Sequence, residues 1–372
     1  MAEGQVREVM FAYVGALEFR GRMLKQMATL KKAGISCRLV LGQTRPEPPR
    51  AADFEFPIQC IRVTQEEGKL RTLCSQFRFA WKAAVLIAAS SADAVVCVSL
   101  EALMAGVWAK RRRPSLQLVF DSNELHIESY LSRLKRAIWR PVQNYGLRRC
   151  DAILHAEANR LEYFVRHYPV AGKPNVLIEN FPYLREAPPA RRPQQGQVRV
   201  IYLGGIGPER FTDEIIDAFA QLESSIQLDL VGFGSKAYEQ VLERKLAANP
   251  LRNVRVRPPV PYARIPELLG NYDIGVALYR NTDLNNYYCA PNKVYDYLMC
   301  GLPVIANRYP GLLSVLEVNR AGVCIGRVDA ASLREAVGTI VREERWKNIT
   351  PELRRRFSWE QQEARYLSVF RG

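Results

Sequence analysis

Short apolar runs alternate with stretches of helical periodicity along nearly the whole chain. Residues 9–14 form a continuous apolar run, residues 20–32 repeat their apolar positions at helical spacing, Gly34 supplies a helix stop, and residues 37–41 are apolar again. This is a strand–helix–strand unit, and the pattern continues. It predicts strands near residues 56–63, 94–98, 116–120, 152–155 and 176–179, with helices over 72–89 and 131–147 between them. Runs that are apolar at every position suit a sheet covered on both faces, and regular alternation with helices makes that sheet parallel. Over residues 184–197 the pattern gives way to Pro188, Pro189, Pro193, Arg191, Arg192 and several Gln, too polar and proline-rich for a core element, and a domain linker is placed there. The alternation then restarts. Strands are predicted at 198–203, 227–231, around Val254, at 274–278, 304–306 and 322–325, and helices at 213–222 and 236–248.

Two α/β domains of similar size follow, with ligands expected at the carboxyl ends of their strands and in the cleft that two domains imply. A length of 372 residues with 48% hydrophobic residues supplies enough apolar material for two cores and excludes disordered and collagen-like classes. The tract 83–109 is interrupted by Asp93 and Glu101, so no transmembrane helix is predicted, and residues 9–17 read as a first strand and not as a signal peptide. Eight cysteines stand singly with no CxxC pair, and only His126, His155 and His167 accompany them, which supports neither a metal framework nor a disulfide scaffold; buried thiols in a reducing cytoplasm are expected.

Two glycine-rich turns carry candidate chemistry. Leu203-Gly204-Gly205-Ile206-Gly207-Pro208-Glu209-Arg210 follows a strand and opens a helix, so backbone amides can approach an anion while Arg210 adds a full charge. Its bland alternative is a tight strand-to-helix turn. Gly232-Phe233-Gly234-Ser235-Lys236-Ala237 satisfies a dinucleotide pattern, but the next strand offers arginine where an acidic residue should grip a ribose, so a nicotinamide site is disfavoured. In Pro291-Asn292-Lys293-Val294-Tyr295-Asp296, Lys293 and Asp296 are i and i+3 near a helix start, suited to a phosphate and a sugar hydroxyl pair, or else to an ordinary surface ion pair.

Pro291, Lys293, Tyr295-Asp296-Tyr297, Gly301 and Pro303-Val304-Ile305-Ala306, preceded by the glycine-rich loop with Arg210, resemble the donor-binding domain of family 4 glycosyltransferases with the GT-B fold. The resemblance covers nearly the whole chain. Arg22, Leu30 and Gly34 fit the family's opening, with Arg20 where an Asp often stands; Asp121-Ser122-Asn123-Glu124-Leu125, Glu179-Asn180-Phe181-Pro182 and Phe357-Ser358-Trp359-Glu360 are similar to its later segments. It implies two Rossmann-like parallel-sheet domains facing each other across a cleft. Residues 1–184 would bind acceptor, residues 198–354 would bind the nucleotide sugar, and a C-terminal helix within 355–372 would pack back on the first domain. It further implies retaining transfer from a nucleotide diphosphate sugar with no metal or separate cofactor, the leaving-group charge met by Arg210, Lys293 and loop amides. Gly15, Gly205 and Gly232 join these two cations in the donor set, and Asp296 takes the slot of the ribose-gripping glutamate. Asp296 in that slot is the first of three departures. Tyr288 occupies the position of a sugar-contacting glutamate, and Asn123 that of the active-site histidine, leaving Asn123, Glu124 and His126 as the candidate catalytic group, with His126 or Glu124 assisting or the donor phosphate serving as base. A decayed GT-B binding protein and a nucleotide-sugar epimerase remain alternatives.

The formal net charge is +15, and residues 101–150 hold ten Lys or Arg against four Asp or Glu. Within them Leu131, Leu134, Ile138 and Trp139 interleave with Arg133, Lys135, Arg136 and Arg140, the pattern of an amphipathic basic helix lying on anionic headgroups, with Phe77, Phe79 and Trp81 extending the surface. The alternative is a solvated helix packed on its own sheet. No nucleic-acid-binding signature accompanies the charge. The expectation is a cytoplasmic hexosyltransferase of polysaccharide biosynthesis, peripheral at the inner face of the cell membrane, acting on a lipid-linked or glycan acceptor.

Overall fold

The computed structural model describes residues 6–17, 21–45, 47, 49, 54–64, 69–128, 132–186, 196–248, 251–289 and 291–370. The chain divides into two compact units, Met1–Glu179 with Gln362–Gly372, and Asn180–Gln361. The first contains β1 (Glu8–Val14), α1 (Gly21–Lys32), β2 (Ser36–Gln43), β3 (Ile58–Arg62), α2 (Lys69–Ala89), β4 (Ala94–Cys97), α3 (Leu100–Arg112), β5 (Gln117–Ser122), α4 (Arg133–Leu147), β6 (Ala152–His155), α5 (Ala158–His167) and β7 (Asn175–Leu177). Its seven strands are parallel in the order β3-β2-β1-β4-β5-β6-β7. The apolar runs read from the sequence are these strands. Every residue of β4 and β6 is buried, as a sheet covered on both faces requires.

The second unit runs β8 (Val198–Gly205), α6 (Thr212–Ala220), β9 (Ile226–Phe233), α7 (Lys236–Ala248), β10 (Val254–Arg257), α8 (Ile265–Leu269), β11 (Ile274–Ala277), α9 (Leu284–Tyr287), α10 (Asn292–Met299), β12 (Val304–Asn307), α11 (Pro310–Leu312), β13 (Gly322–Ile325), α12 (Ala330–Arg342), α13 (Pro351–Arg356) and the first two residues of α14 (Glu360–Ser368). Its six strands are again parallel, in the order β10-β9-β8-β11-β12-β13. Two cores flank this sheet. One gathers Tyr295, Tyr297, Leu298 and Phe357, the other Ile215, Phe219, Leu228 and Val337.

Local contacts explain where the first unit ends. Phe181 stacks edge-on against Tyr295 and Phe357 with ring centroids 4.7 and 5.5 Å apart. The Trp359 amide donates to Pro182 O at 2.8 Å, and the Leu184 amide donates to the Glu360 carboxylate. Residues 180–184 are thereby held by the second unit. The last turns of α14 belong to the first: Gln362 Oε1 accepts the Glu179 backbone amide, Tyr366 is fully buried, and Gln117 Nε2 donates to Val369 O. Residues 187–195, the middle of the expected linker, lie outside the described residues, as do Arg20 and Leu131.

Not every surface expectation survives. Phe79 is fully buried, and Trp139 is buried with its ring stacked on Phe77 at 6.0 Å, so these aromatics belong to the core of the first unit. They sit on the inward face of α2 and α4, whose hydrophobic stripes pack before they can serve any surface. Trp81 and Leu134 do face solvent, 55% and 63% exposed. Cys60 and Cys74 are exposed, while the other six thiols are buried.

Candidate functional site

In an open parallel sheet, ligands bind beyond the carboxyl ends of strands where the strand order reverses, because neighbouring connections there leave in opposite directions. The reversal falls between β8 and β11 in the second unit and between β1 and β4 in the first.

At the first of these points β8 ends in Gly204-Gly205. Gly204 has φ +124, which only glycine adopts readily, and a Cβ there would meet Lys293 Nζ at 3.4 Å. Gly232, at the end of β9, has a different purpose: a Cβ would fall 1.7 Å from Gly204 O, so glycine lets the two strand ends approach. At Gly205 a Cβ would meet nothing within 4 Å, leaving open space beside the strand end. The loop then enters a short 3-10 turn, Pro208–Arg210, and α6 begins without a side-chain cap. Phe211 adopts φ 56, a left-handed conformation that a bulky side chain takes only where its surroundings enforce it.

Arg280, just beyond β11, supplies much of that enforcement. Its Nε donates to Pro208 O at 2.6 Å, its backbone amide donates to Glu209 O at 3.2 Å, its Nη2 pairs with Glu214, and its guanidinium lies 4.6 Å over the Phe211 ring. The sequence reading missed Arg280. Its only signal was a charged residue closing the apolar run that contains β11.

Two cations meet within this frame. The Lys293 ammonium lies 4.0 Å from the Tyr202 ring centroid and 5.2 Å from that of Tyr279, and the Arg210 guanidinium lies 4.5 Å from the Tyr279 centroid. The aromatic faces offset part of the cost of burying these charges. Among the described residues no carboxylate forms an ion pair with either, and Arg210 Nη1 is buried without a hydrogen-bond acceptor. Burial first, and the neighbouring Arg210 charge second, pull the Lys293 ammonium from its ordinary 10.5 down to about 7. Two cations held together without a carboxylate partner are an arrangement that can accept an anion.

Lys293 and Asp296 share α10 but diverge: Asp296 accepts a hydrogen bond from Tyr262 Oη at 3.1 Å. Pro291 is the residue before the first helical turn, and Asn292 Oδ1 accepts from Asn180 Nδ2 at 2.6 Å. Tyr288 closes α9 and stacks edge-on with Tyr287 at 5.0 Å.

In the first unit, the carboxyl ends of β1 and β5 carry Gly15 and the segment Asp121–Leu125. Gly15 has φ +141, its amide donates to Gly42 O at 3.0 Å, and a Cβ would strike the Tyr13 hydroxyl at 2.1 Å. Asp121 is fully buried and ion-paired with Arg22 at 3.0 Å; it also accepts from Gln26 Nε2 at 2.7 Å, while Arg22 Nη1 donates to Ile178 O. The two motif residues Arg22 and Asp121 are thus partners in a scaffold joining α1, β5 and the end of β7. Asn123 O accepts from Arg160 Nη1 at 2.7 Å, Glu124 is exposed, and the His126 ring is tilted against Phe120 at 6.1 Å. Of the basic set on α4, Arg140 is ion-paired with Glu128 at 2.7 Å, whereas Arg133 and Lys135 are exposed. No helix among the described residues is long and apolar enough to cross a membrane.

Comparison with known proteins places these features. The model of the glycosyl transferases group 1 family matches residues 183–363, and that of the glycosyl transferase 4-like domain matches residues 21–180. A comparison with curated protein sequences finds no match. Among solved structures, sucrose-phosphate synthase from Thermosynechococcus elongatus superposes with a TM-score of 0.76 at 17% identity, covering 98% of each chain. The Anabaena HepE protein in complex with UDP-glucose gives 0.73 at 15% identity, over 97% of this chain and 98% of the other. A lipopolysaccharide outer core galactosyltransferase, WaaB, gives 0.72 at 12% identity, again over 97% and 98%. Two family models that between them span residues 21–180 and 183–363, on two parallel-sheet domains of the GT-B architecture, make this chain a member of the group 1, 4-like glycosyl transferases.

Proposed function

We propose that this glycosyltransferase moves a hexose from a nucleotide diphosphate sugar to a lipid-linked or polysaccharide acceptor, with retention of anomeric configuration. The observation that carries the donor half is the pair Lys293 and Arg210, two cations gathered on aromatic faces at the β8–β11 reversal with no carboxylate between them. A diphosphate supplies the missing negative charge. As the glycosidic bond to the β-phosphate breaks, negative charge grows on the leaving oxygen. Fixed cations in a partly desolvated site stabilise that charge more than they stabilise the ground state. Asp296 would accept from the ribose hydroxyls, its orientation set by the Tyr262 hydroxyl. Gly15, Asn123, Glu124 and His126 stand at the carboxyl edge of the first unit's sheet and are the residues assigned to the reacting sugar. The UDP-glucose held by the Anabaena neighbour supports a UDP-sugar as the first donor to try.

A lipid-linked acceptor is supported by the outer face of the first unit. Trp81 and Leu134 stand exposed beside exposed Arg78, Lys82, Arg133 and Lys135, and the Phe77–Trp139 stack ties α2 to α4. Cations near an anionic headgroup plane contribute about 1 kcal/mol each, and the two large apolar side chains add insertion into the headgroup boundary. The protein would then work at the inner face of the cytoplasmic membrane.

The test incubates purified protein with labelled UDP-, GDP- and ADP-sugars, and separately with anionic or neutral vesicles at low and high salt. Donor turnover with one nucleotide class, together with salt-sensitive sedimentation on anionic vesicles, is expected. Donor binding without turnover leaves a decayed binding protein, the outcome that Asn123 in the position of the family's histidine would explain, and absence of both with every donor sinks the nucleotide-sugar reading altogether. Binding indifferent to lipid charge removes only the membrane part.

A further inference from the structure

We propose that the second unit carries another anion site, along the face of β10 and the amino-terminal halves of β8 and β9, which takes a phosphomonoester no larger than a sugar phosphate. Parallel register brings Arg199 beside Gln227 and Arg255 beside Asp229, with Arg257 two residues further along the same face of β10. Together with Asn271 and Tyr272 they line a cavity of about 240 Å³.

Three guanidiniums share this cavity with one carboxylate, and that carboxylate is already committed. Asp229 is 8% exposed, accepts from Tyr272 Oη at 2.6 Å, and is ion-paired with Arg257 Nε at 3.0 Å. Tyr272, itself 4% exposed, fixes the floor. Among the described residues neither Arg199 nor Arg255 forms an ion pair through its guanidinium. Asp229 thus neutralises and fixes Arg257, while the guanidiniums of Arg199 and Arg255 face the cavity without such a partner.

Defence of a sheet edge explains part of this and not the rest. β10 is an edge strand, and charged residues there discourage pairing with another chain. Arg199 is on β8, between β9 and β11 in the interior of the sheet, where no edge needs defending. A cation on that face instead completes a ring of donors around the cavity.

The ligand class follows from charge, geometry and size. Planar guanidiniums bind phosphate oxygens in pairs, and the two without a carboxylate partner, Arg199 and Arg255, match a doubly charged phosphomonoester better than a single carboxylate. The volume lies below the roughly 300 Å³ at which pockets begin to enclose drug-sized ligands, which argues against a whole nucleotide. The amides of Gln227 and Asn271 can bond sugar hydroxyls. The site is separate from the Lys293 receptor. Arg199 is the second residue of β8 and Gly204 the seventh, and at about 3.3 Å per residue they are about 16 Å apart along the strand.

Calorimetric titration of the full chain with inorganic phosphate, and separately with a hexose 6-phosphate, tests the assignment. The proteins compared are wild type, the Arg199→Gln/Arg255→Gln variant and Lys293→Ala, each checked for an unfolding midpoint no lower than that of wild type. Wild type is expected to show a saturable event beyond any at the Lys293 site, and that event is retained in Lys293→Ala, weakened at least tenfold in the double variant, and tighter for the hexose phosphate. No event in wild type, or an event lost in Lys293→Ala and kept in the double variant, overturns the site. Equal affinity for the two probes overturns its sugar part. Because the Lys293→Ala arm binds independently of donor chemistry, the result does not depend on the transferase reading.

Discussion

Arg22 and Lys293 are both long cations beside a parallel sheet, and they have opposite surroundings. Arg22 meets the buried Asp121 carboxylate at 3.0 Å, with Gln26 completing the carboxylate's contacts. Lys293 meets two tyrosine rings and a second cation. A buried cation with its counter-ion in place is scaffold: its charge is spent inside the chain, and removing either partner leaves the other stranded. A cation without a counter-ion costs stability in the free protein and recovers that cost when an anion arrives. Stability should therefore reside at the first residue and ligand affinity at the second.

The comparison breaks most visibly under mutation of the scaffold pair. Arg22→Ala should cost about 3–5 kcal/mol of stability, since Asp121 is left buried and charged, and the double variant Arg22→Met/Asp121→Leu should restore most of the loss. Urea unfolding read by fluorescence measures both. Nucleotide affinity of whatever remains folded should be unchanged; a matching loss of affinity would mean that Arg22 also serves the donor. Lys293→Ala should show the reverse, with an unfolding midpoint equal to or above wild type and a weakening of nucleoside diphosphate binding by roughly ten- to a hundredfold, the scale of one charge-assisted contact of about 1.5–3 kcal/mol. Nucleoside binding should hardly move, and equal losses for nucleoside and diphosphate would show that Lys293 does not meet phosphate.

Acidity sharpens the same contrast. The folded-state value for Lys293, about 7, lies below its ordinary 10.5, so between these values the folded chain binds fewer protons than the unfolded one. Stability from this group consequently rises as pH climbs from about 7 to 10.5, and below about 7 the buried ammonium opposes folding in full. A bound diphosphate favours the charged form. Its affinity should therefore fall as pH rises past 7, and binding at about pH 8 should take up a proton, visible as a buffer-dependent enthalpy that disappears in Lys293→Met. A flat profile would mean the ammonium stays charged throughout.

The smallest expected effect belongs to Arg280. Arg280→Ala releases Pro208 O and Glu214 and removes the support under Phe211, so the loop bearing Arg210 should lose order. Diphosphate affinity should drop about three- to tenfold, on the order of one net hydrogen bond. Rescue should be partial in Arg280→Lys, because an ammonium cannot bond two acceptors in a plane. Full rescue by lysine would reduce Arg280 to a simple charge.

Local patterning determined a good deal here. Runs apolar at every position marked the strands because both sheets are covered, and the helix at residues 236–248 and the strands at 152–155 and 322–325 were readable to the residue. The cations Lys293 and Arg210 were legible because glycine-rich turns and helix starts have local sequence signals. Tertiary structure alone decided what those residues face. No spacing indicates that Arg22 meets Asp121, 99 positions away, or that Lys293 turns onto Tyr202 and Tyr279 and away from Asp296, three positions along its own helix. Arg280 and the Arg199 cavity were invisible for the same reason. Their partners come from strands adjacent in the sheet and distant in the chain, and whether a charge is neutralised or left exposed to a ligand depends on that adjacency.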